Sequence, residues 1–278
     1  MSFSPRVAWV IALDCEARPI RDAFGLAPVP GPAPYPIYRS PCETHWMVRS
    51  GIGRNHGAAA TMYLHQIMGG GAHIAWLNVG IAGHANLPLG TGRRVNQILE
   101  VSTGATFYPT QVFDSQLMGC SLFTVDEPQK TMDGDGLYDM EGSAFFSIAS
   151  RLSSQELVML IKCVSDHGVD QDAFPSRDTI SGWISTLEST LMVAVDGLLA
   201  LSAMEADRLS APDLDPLLRG RHFTVTQTHQ LRSLMRRWTA LKGCALVDTV
   251  VSPDDDARGV ILRLKNHLDS LSTDWREP

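Results

Sequence analysis

Three short acidic signatures hold the side chains best suited to bond-breaking chemistry in this chain: Asp14-Cys15-Glu16, Asp139-Met140-Glu141 and Val164-Ser165-Asp166. Residues 157–164 form an almost unbroken apolar run that predicts a buried strand, and Asp166 falls just past its end. Ligands of open α/β sheets bind at the carboxyl ends of strands. Glu141 stands at the mouth of an apolar helix predicted over residues 142–151, whose positive end favours an anion. Glu16 follows a first apolar strand, residues 7–13, and precedes Pro19, whose missing N–H suits the first turn of a helix. Singly, an acid at a helix start is a cap or dipole partner, and an Asp after a strand is a turn residue. Glu141 and Asp166 on either side of one strand ask for more.

The elements that must position these acids alternate. Residues 27–44 carry six prolines and predict an irregular, solvent-facing excursion. A short strand, residues 46–49, feeds the small-residue turn Ser50-Gly51-Ile52-Gly53, followed by a helix. A third core strand, residues 73–79, ends in a second small-residue turn, Gly80-Ile81-Ala82-Gly83-His84. Such turns let backbone N–H groups approach a ligand. Residues 95–101 and 121–125 continue as strands, Thr106-Phe107-Tyr108 begins a loop with an aromatic surface, and Asp126-Glu127-Pro128-Gln129 follows the later strand. This alternation predicts an α/β sheet with one site along its edge. One long helix is expected over residues 180–201. A composition shift near 207–216 then opens a C-terminal helix-strand-helix appendage, with its strand at residues 245–251.

Composition narrows the function classes. The 278 residues are 44% hydrophobic and 19% charged, with a net charge of −7, which argues against a nucleic-acid partner because that needs a cationic footprint. Arg232, Arg236 and Arg237 read as a solvated helix face, because from residue 205 onward eleven acids balance eleven Lys or Arg. No apolar run reaches the roughly 18 residues of a spanning helix, so no membrane partner is expected. The N-terminus lacks a charged region followed by an apolar stretch and cleavage site, and the five cysteines are scattered with no C-x-x-C pair. The expectation is a cytoplasmic protein with reduced thiols. The nine histidines show no H-x-x-x-H spacing, so no metal and no cofactor is expected.

The order of Ala12-Leu13-Asp14-Cys15-Glu16, Ser50-Gly51-Ile52-Gly53, Asn78-Val79-Gly80-Ile81-Ala82-Gly83, Asp139-Met140-Glu141 and Val164-Ser165-Asp166 resembles the nucleoside phosphorylase superfamily. It is most similar to the branch containing 5'-methylthioadenosine/S-adenosylhomocysteine nucleosidase. The match covers residues 6–203. It implies a nucleoside phosphorylase-like catalytic domain over 1–204, a three-layer α/β/α unit around a central mixed, partly barrel-like sheet, with residues 205–278 as an addition. It also implies roles. Asp166 is the acid that protonates N7 of the departing purine, with Ser165 supporting it. Glu141 holds the ribose hydroxyls, Met140 packs against the sugar, and Glu16 orients or deprotonates the attacking water. Ile52, Gly80, Ile81 and Gln129 complete the substrate-binding set. The loop around Pro128 and Gln129 lacks an aromatic residue, so Phe107 or Tyr108 is expected to stack on the base. Family habit implies a homodimer or larger homo-oligomer, with a small purine nucleoside as ligand.

These roles are chemically consistent. Breaking an N-glycosidic bond leaves negative charge on the base and positive charge on the sugar, so an acid helps the base leave and nearby carboxylates stabilise the sugar cation. A third carboxylate activates water on the opposite face, as in inverting glycosidases. The superfamily's phosphorylases bind phosphate with an early Gly-Asp-Pro-x-Arg-like loop, absent here, and with an Arg and a hydroxyl where Asn78 and Ile81 stand. Hydrolysis is therefore favoured over phosphorolysis, although Arg18 or Arg54 offers a possible anion site. A third reading, of a different class, is a regulatory nucleoside-binding protein without turnover.

Overall fold

The computed structural model describes residues 4–132, 134–168, 174–210, 213–242 and 250–271. Among them are ten strands: β1 (Arg6–Ile11), β2 (Ala27–Pro28), β3 (Ile37–Arg39), β4 (His45–Arg49), β5 (Ile74–His84), β6 (Gly92–Glu100), β7 (Thr106–Phe107), β8 (Gly119–Thr124), β9 (Leu137–Asp139) and β10 (Val158–Asp166). Eight helices accompany them: α1 (Asp14–Phe24), α2 (Arg54–Ile67), α3 (Gly142–Leu152), α4 (Arg177–Thr186), α5 (Glu188–Leu209), α6 (Asp215–Leu218), α7 (Val225–Lys242) and α8 (Ala257–Ser270). Two compact units result, Ser4–Ala206 and the residues from Asp207 onward.

In the first unit, β10 pairs with β5 and β6, β6 with β8, β8 with β9, and β9 returns to β5. This ring of five closes a small barrel, and β1, β4, β3 and β2 extend the sheet from β5. Strand alternation sorts side chains onto two faces. On β10, Met159, Ile161 and Cys163 pack with Ile20, Ile184 and Leu198 of α1, α4 and α5, while Val158, Leu160 and Val164 pack with Leu64 and Phe145 of α2 and α3. The sheet is thus the middle of three layers, mixed and partly barrel-like.

Several sequence readings change. Residues 80–84 are not a turn: β5 runs through them to His84, and Gly80 and Gly83 keep negative φ. Their small size serves close approach, since a Cβ on Gly83 would collide with Met132 Cε and stand 3.0 Å from Asp166 Oδ1. The helix expected over 180–201 is two helices. The Leu187 N–H bonds the Ile184 carbonyl at 3.1 Å in a tight last turn, and the Leu187 side chain fills the space left by Gly92. The proline-rich excursion contributes β2 and β3 to the sheet edge, and Thr106–Phe107 pairs with β6. Finally, α5 is 22 residues long and holds an 18-residue stretch with a mean hydropathy of 1.4, long and apolar enough to cross a membrane by length and composition. Its buried Leu191, Ala194, Val195 and Leu198 lie in the core beneath the sheet, which is where an apolar core helix gains its stability.

In the second unit, α6, α7 and α8 share a core that includes Leu217, Leu231, Trp238, Val260 and Leu264. The Arg221 guanidinium donates to the carbonyls of Leu217, Ser252, Pro253 and Asp255. Most of the strand expected at 245–251 lies outside the described residues.

Pro19 sits inside α1, not in its first turn. It has no N–H for the Cys15 carbonyl four residues back, and Ser181 Oγ from α4 donates to that carbonyl at 2.6 Å instead. Ser181→Ala is expected to cost about 1–3 kcal/mol in denaturant unfolding by leaving a buried carbonyl unpaired. In a Pro19→Ala background, which restores the N–H, the same substitution should cost clearly less. Equal costs in the two backgrounds would show that the hydroxyl does not compensate for the proline.

Candidate active site

The three acidic signatures meet at one cavity of about 220 Å³, whose lining includes Glu16, Asp139, Glu141, Ser165 and Asp166. Strand ends bring them there, each held differently. Glu16 is the third residue of α1 and is 2% exposed. Its Oε2 accepts the Leu13 N–H at 2.8 Å, closing the helix start, and its Oε1 accepts the Ile81 N–H from β5 at 2.8 Å. Burial raises its pKa from the ordinary carboxylate value against the pull of these N–H groups and of Lys162.

Glu141 occupies the N-cap position of α3 without capping it. Asp139 takes that task, its Oδ2 accepting the Gly142 N–H at 2.8 Å. Glu141 is therefore free to reach across to α2, where its Oε1 accepts the Gly53 N–H at 2.6 Å. Gly57 makes room for it, since a Cβ there would stand 3.4 Å from Glu141 Cβ. Burial, with the neighbouring charge of Asp139 adding to it, pushes the Glu141 carboxyl up to about 7.

Asp166 ends β10 just past an irregularity in the pairing with β5 between Val164 and Asp166. Such a bulge re-aims the side chain that follows it. Its Oδ2 accepts from Ser165 Oγ at 2.7 Å and its Oδ1 from the Gly168 N–H at 3.1 Å.

Behind the acids lies a residue whose role the sequence did not disclose. Lys162, on the same face of β10 as Leu160 and Val164, is 2% exposed, and its Nζ stands 2.8 Å from Asp139 Oδ2. Asp139 also accepts from Thr124 Oγ1 at 2.8 Å. Its signal was a lone lysine inside an apolar strand, a position where a charge persists only when paired. The charges of Asp139, Glu141 and Glu16 hold the Lys162 ammonium above its ordinary pKa despite its burial.

Of the other sequence candidates, Met140, Ile52, Ile81 and Gln129 line the cavity. Gly80 does not. It backs onto Glu16, where a Cβ would stand 3.0 Å from Oε1. Phe107 and Tyr108 do not line this cavity either: Phe107 packs on Phe146 at 5.7 Å between ring centroids, and Tyr108 is 65% exposed. Phe107 pairs with β6, whereas Tyr138 and Phe174 provide the aromatic lining. Tyr138, directly before Asp139-Met140-Glu141, packs on Phe123 with ring centroids 5.1 Å apart and the planes tilted by 38°. Asn78 is buried in the core with its Nδ2 donating to the Val10 carbonyl at 2.8 Å. Arg18 pairs with Asp178, and Arg54 with Glu100 and Asp126. No Arg, Lys or His lines the cavity among the described residues.

No protein-family model and no curated protein sequence matches the chain. Solved structures do. An apo 5'-methylthioadenosine nucleosidase from Arabidopsis thaliana is similar with a TM-score of 0.58 at 20% identity, over 72% of this chain and 100% of that one. A 5'-methylthioadenosine/S-adenosylhomocysteine nucleosidase from Colwellia psychrerythraea in complex with adenine gives 0.53 at 16% identity, over 72% and 96%. A futalosine hydrolase mutant from Helicobacter pylori gives 0.52 at 13% identity, over 69% and 99%. At these identities the likeness shows the fold, and the fold of this chain is the nucleosidase-like one.

Lys162→Met should leave Asp139 buried without its partner and destabilise the protein by about 3–5 kcal/mol in denaturant melts. A cost below about 1 kcal/mol would mean the pair is dispensable to the fold. Glu141 gives a pH signature of opposite sense to a salt-bridged carboxylate. Its pKa is raised to about 7 in the folded protein, so its favourable contribution is complete below the unfolded value near 4.5 and is lost as pH rises through about 7. Glu141→Gln is expected to flatten the decline of Tm across that window, and an unchanged slope would assign the decline to another group.

Proposed function

We propose that this protein hydrolyses the N-glycosidic bond of a purine nucleoside, an adenine nucleoside of the 5'-methylthioadenosine type, releasing free base and a ribose derivative. The observation that carries this reading is the convergence of Glu16, Glu141 and Asp166 on one cavity whose described lining holds no cationic side chain. The fold it shares with nucleosidases and a futalosine hydrolase is consistent with it.

In this reading, protonated Asp166 donates its proton to N7 of the base as the bond to the sugar breaks and its electron pair leaves with the purine. Ser165 and the Gly168 N–H fix the direction of the Asp166 carboxyl. Glu141 accepts hydrogen bonds from the ribose hydroxyls and offsets positive charge developing on the sugar. Glu16 accepts a proton from water as its oxygen bonds to the anomeric carbon. Two backbone N–H groups keep its carboxylate in place, and its raised pKa suits it to that task. Tyr138 and Phe174, the aromatic residues in the lining, are the candidates to pack on a purine.

Water is favoured over phosphate as nucleophile for an electrostatic reason. A phosphate dianion beside Glu16 and Glu141 would meet like charge with no cation from the cavity lining to offset it. Arg18 and Arg54, the sequence's candidates for an anion site, lie outside the cavity and are already engaged by carboxylates.

Base release should proceed from 5'-methylthioadenosine at the same rate with and without inorganic phosphate. Asp166→Asn and Glu16→Gln are each expected to lower kcat by about 10²–10⁴-fold with the fold intact. The acid limb of the pH–rate profile should lie above the ordinary carboxylate range, and Glu16→Gln should remove the part Glu16 contributes while leaving that of Glu141. Release that requires phosphate and yields a ribose 1-phosphate would replace hydrolysis with phosphorolysis. Near-wild-type turnover in Asp166→Asn would remove its assignment as the acid.

A further inference from the structure

The second unit has a groove of its own, with a volume of about 590 Å³. α7 and α8 run parallel. Their C-terminal halves meet through Arg237 and Asp269 at 2.7 Å and through the Trp238 and His267 rings at 5.3 Å between centroids, and their N-terminal halves line the groove. Gln227 and Gln230 come from α7, and Arg258, Ile261, Leu262 and Lys265 from α8. Helix residues three, four and seven apart share a face, so α8 presents two cations on either side of two apolar side chains. Leu262 is 58% exposed, which leaves the apolar strip between the charges uncovered. Neither Arg258 nor Lys265 has an ion pair or a side-chain hydrogen bond among the described residues, and no acid is among the residues of the lining. The helix starts are already served, α7 by reciprocal hydrogen bonds between Thr224 and Gln227, α8 by Asp256 accepting the Gly259 N–H at 2.7 Å. By sequence, α7 and α8 together hold seven Lys or Arg against one acid, Asp269, in a chain of net charge −7.

We propose that this groove binds an acidic amphipathic helix of a partner protein, one in which two acids seven residues apart bracket two adjacent apolar residues, as in Glu-x-x-Leu-Leu-x-x-Glu. The spacing mirrors that of α8. At the helical rise per residue, acids seven apart are separated by about 10 Å along the axis, as are Arg258 and Lys265. The apolar pair covers Ile261 and Leu262 while each carboxylate meets one cation, and Gln227 and Gln230 offer polar partners along the α7 rim. A nucleic-acid backbone draws its affinity from rows of cations and gains nothing from an apolar strip between two of them. A second copy of this chain is not the occupant, because no described helix carries two acids seven apart around two adjacent apolar residues. Every residue of the groove lies beyond Asp207, so this assignment is independent of the chemistry of the acidic cavity.

The test uses the full-length protein and a labelled, alanine-rich peptide of about 18 residues, long enough to hold a helix in water, that carries Glu-x-x-Leu-Leu-x-x-Glu. By fluorescence anisotropy it should bind at least about tenfold more tightly than the same peptide with both acids changed to Lys, and than one with both leucines changed to Ser. Arg258→Glu/Lys265→Glu should reverse the preference, so that this variant binds the Lys peptide better than the acidic one. Leu262→Ser should weaken the acidic peptide about tenfold while circular dichroism shows the helices intact. Failure of the acidic peptide to bind, or equal binding of the acidic and Lys peptides, overturns the docking site. Tighter binding of duplex DNA or of phosphatidylserine vesicles through the same two cations also overturns it and assigns the groove to a polyanion. Self-association that the acidic peptide displaces and that Arg258→Glu/Lys265→Glu abolishes overturns it in favour of a second copy.

Discussion

One buried cation among three carboxylates is the constraint around which the first unit, Ser4–Ala206, is assembled. Lys162 reaches Asp139 at 2.8 Å from the middle of β10, in a region where an unpaired charge is strongly disfavoured. Asp139 turns that pairing into geometry. It closes the start of α3 through the Gly142 N–H, and in doing so releases Glu141 from the capping position to meet the Gly53 N–H of α2. A single ion pair thereby ties β10 to β9, and through α3 to α2. The positive charge of Lys162 also opposes the upward shift that burial imposes on Glu141 and Glu16.

The closed sheet is what brings that arrangement together. β5 continues through Gly80 and Gly83 instead of turning, so it pairs with β10 along one edge and with β9 at its far end. Those glycines are small because Glu16 crowds one and Met132 and Asp166 crowd the other. Each acid then meets a different surrounding: two backbone donors for Glu16, one donor and a like-charged neighbour for Glu141, a hydroxyl and a turn N–H for Asp166. Three carboxyl groups of one chemical type thus line a single cavity in unlike surroundings. Charge is also distributed unevenly: the cavity that holds Glu16, Glu141 and Asp166 has no cationic side chain in its described lining, whereas a neighbouring cavity is lined by Arg18, Arg49 and Arg177 together with Asp14 and Asp178.

What was legible in the sequence depended on whether a property is local. Glu16, Glu141 and Asp166 stood out because acids next to apolar runs mark element ends, and strand ends are where this class of sheet builds its sites. Residues 80–84 misled for the same reason. Two glycines in five residues read as a turn, yet their negative φ shows that the need was for space beside another side chain, which no local pattern records. Phe107 and Tyr108 were chosen as the aromatic residues for a base, whereas the residues that line the cavity are Tyr138 and Phe174, one beside an acidic signature and one from a polar segment. Pro19 looked like a helix start and is a helix interior, tolerated because Ser181 from another helix serves the carbonyl it leaves unpaired.

By itself the sequence determined the alternation of strands and helices, the two faces of each core strand, and the placement of three carboxylates at element ends. These follow from side-chain period and backbone preference, which act over a few residues. Only the tertiary structure decided that the sheet closes, that Lys162 is the cation behind the acids, that Asp139 and not Glu141 caps α3, and that Arg18, Arg49 and Arg177, far apart in the chain, line one cavity. Each of those depends on which groups lose water together, and burial is set by packing between segments far apart in sequence rather than by any segment alone.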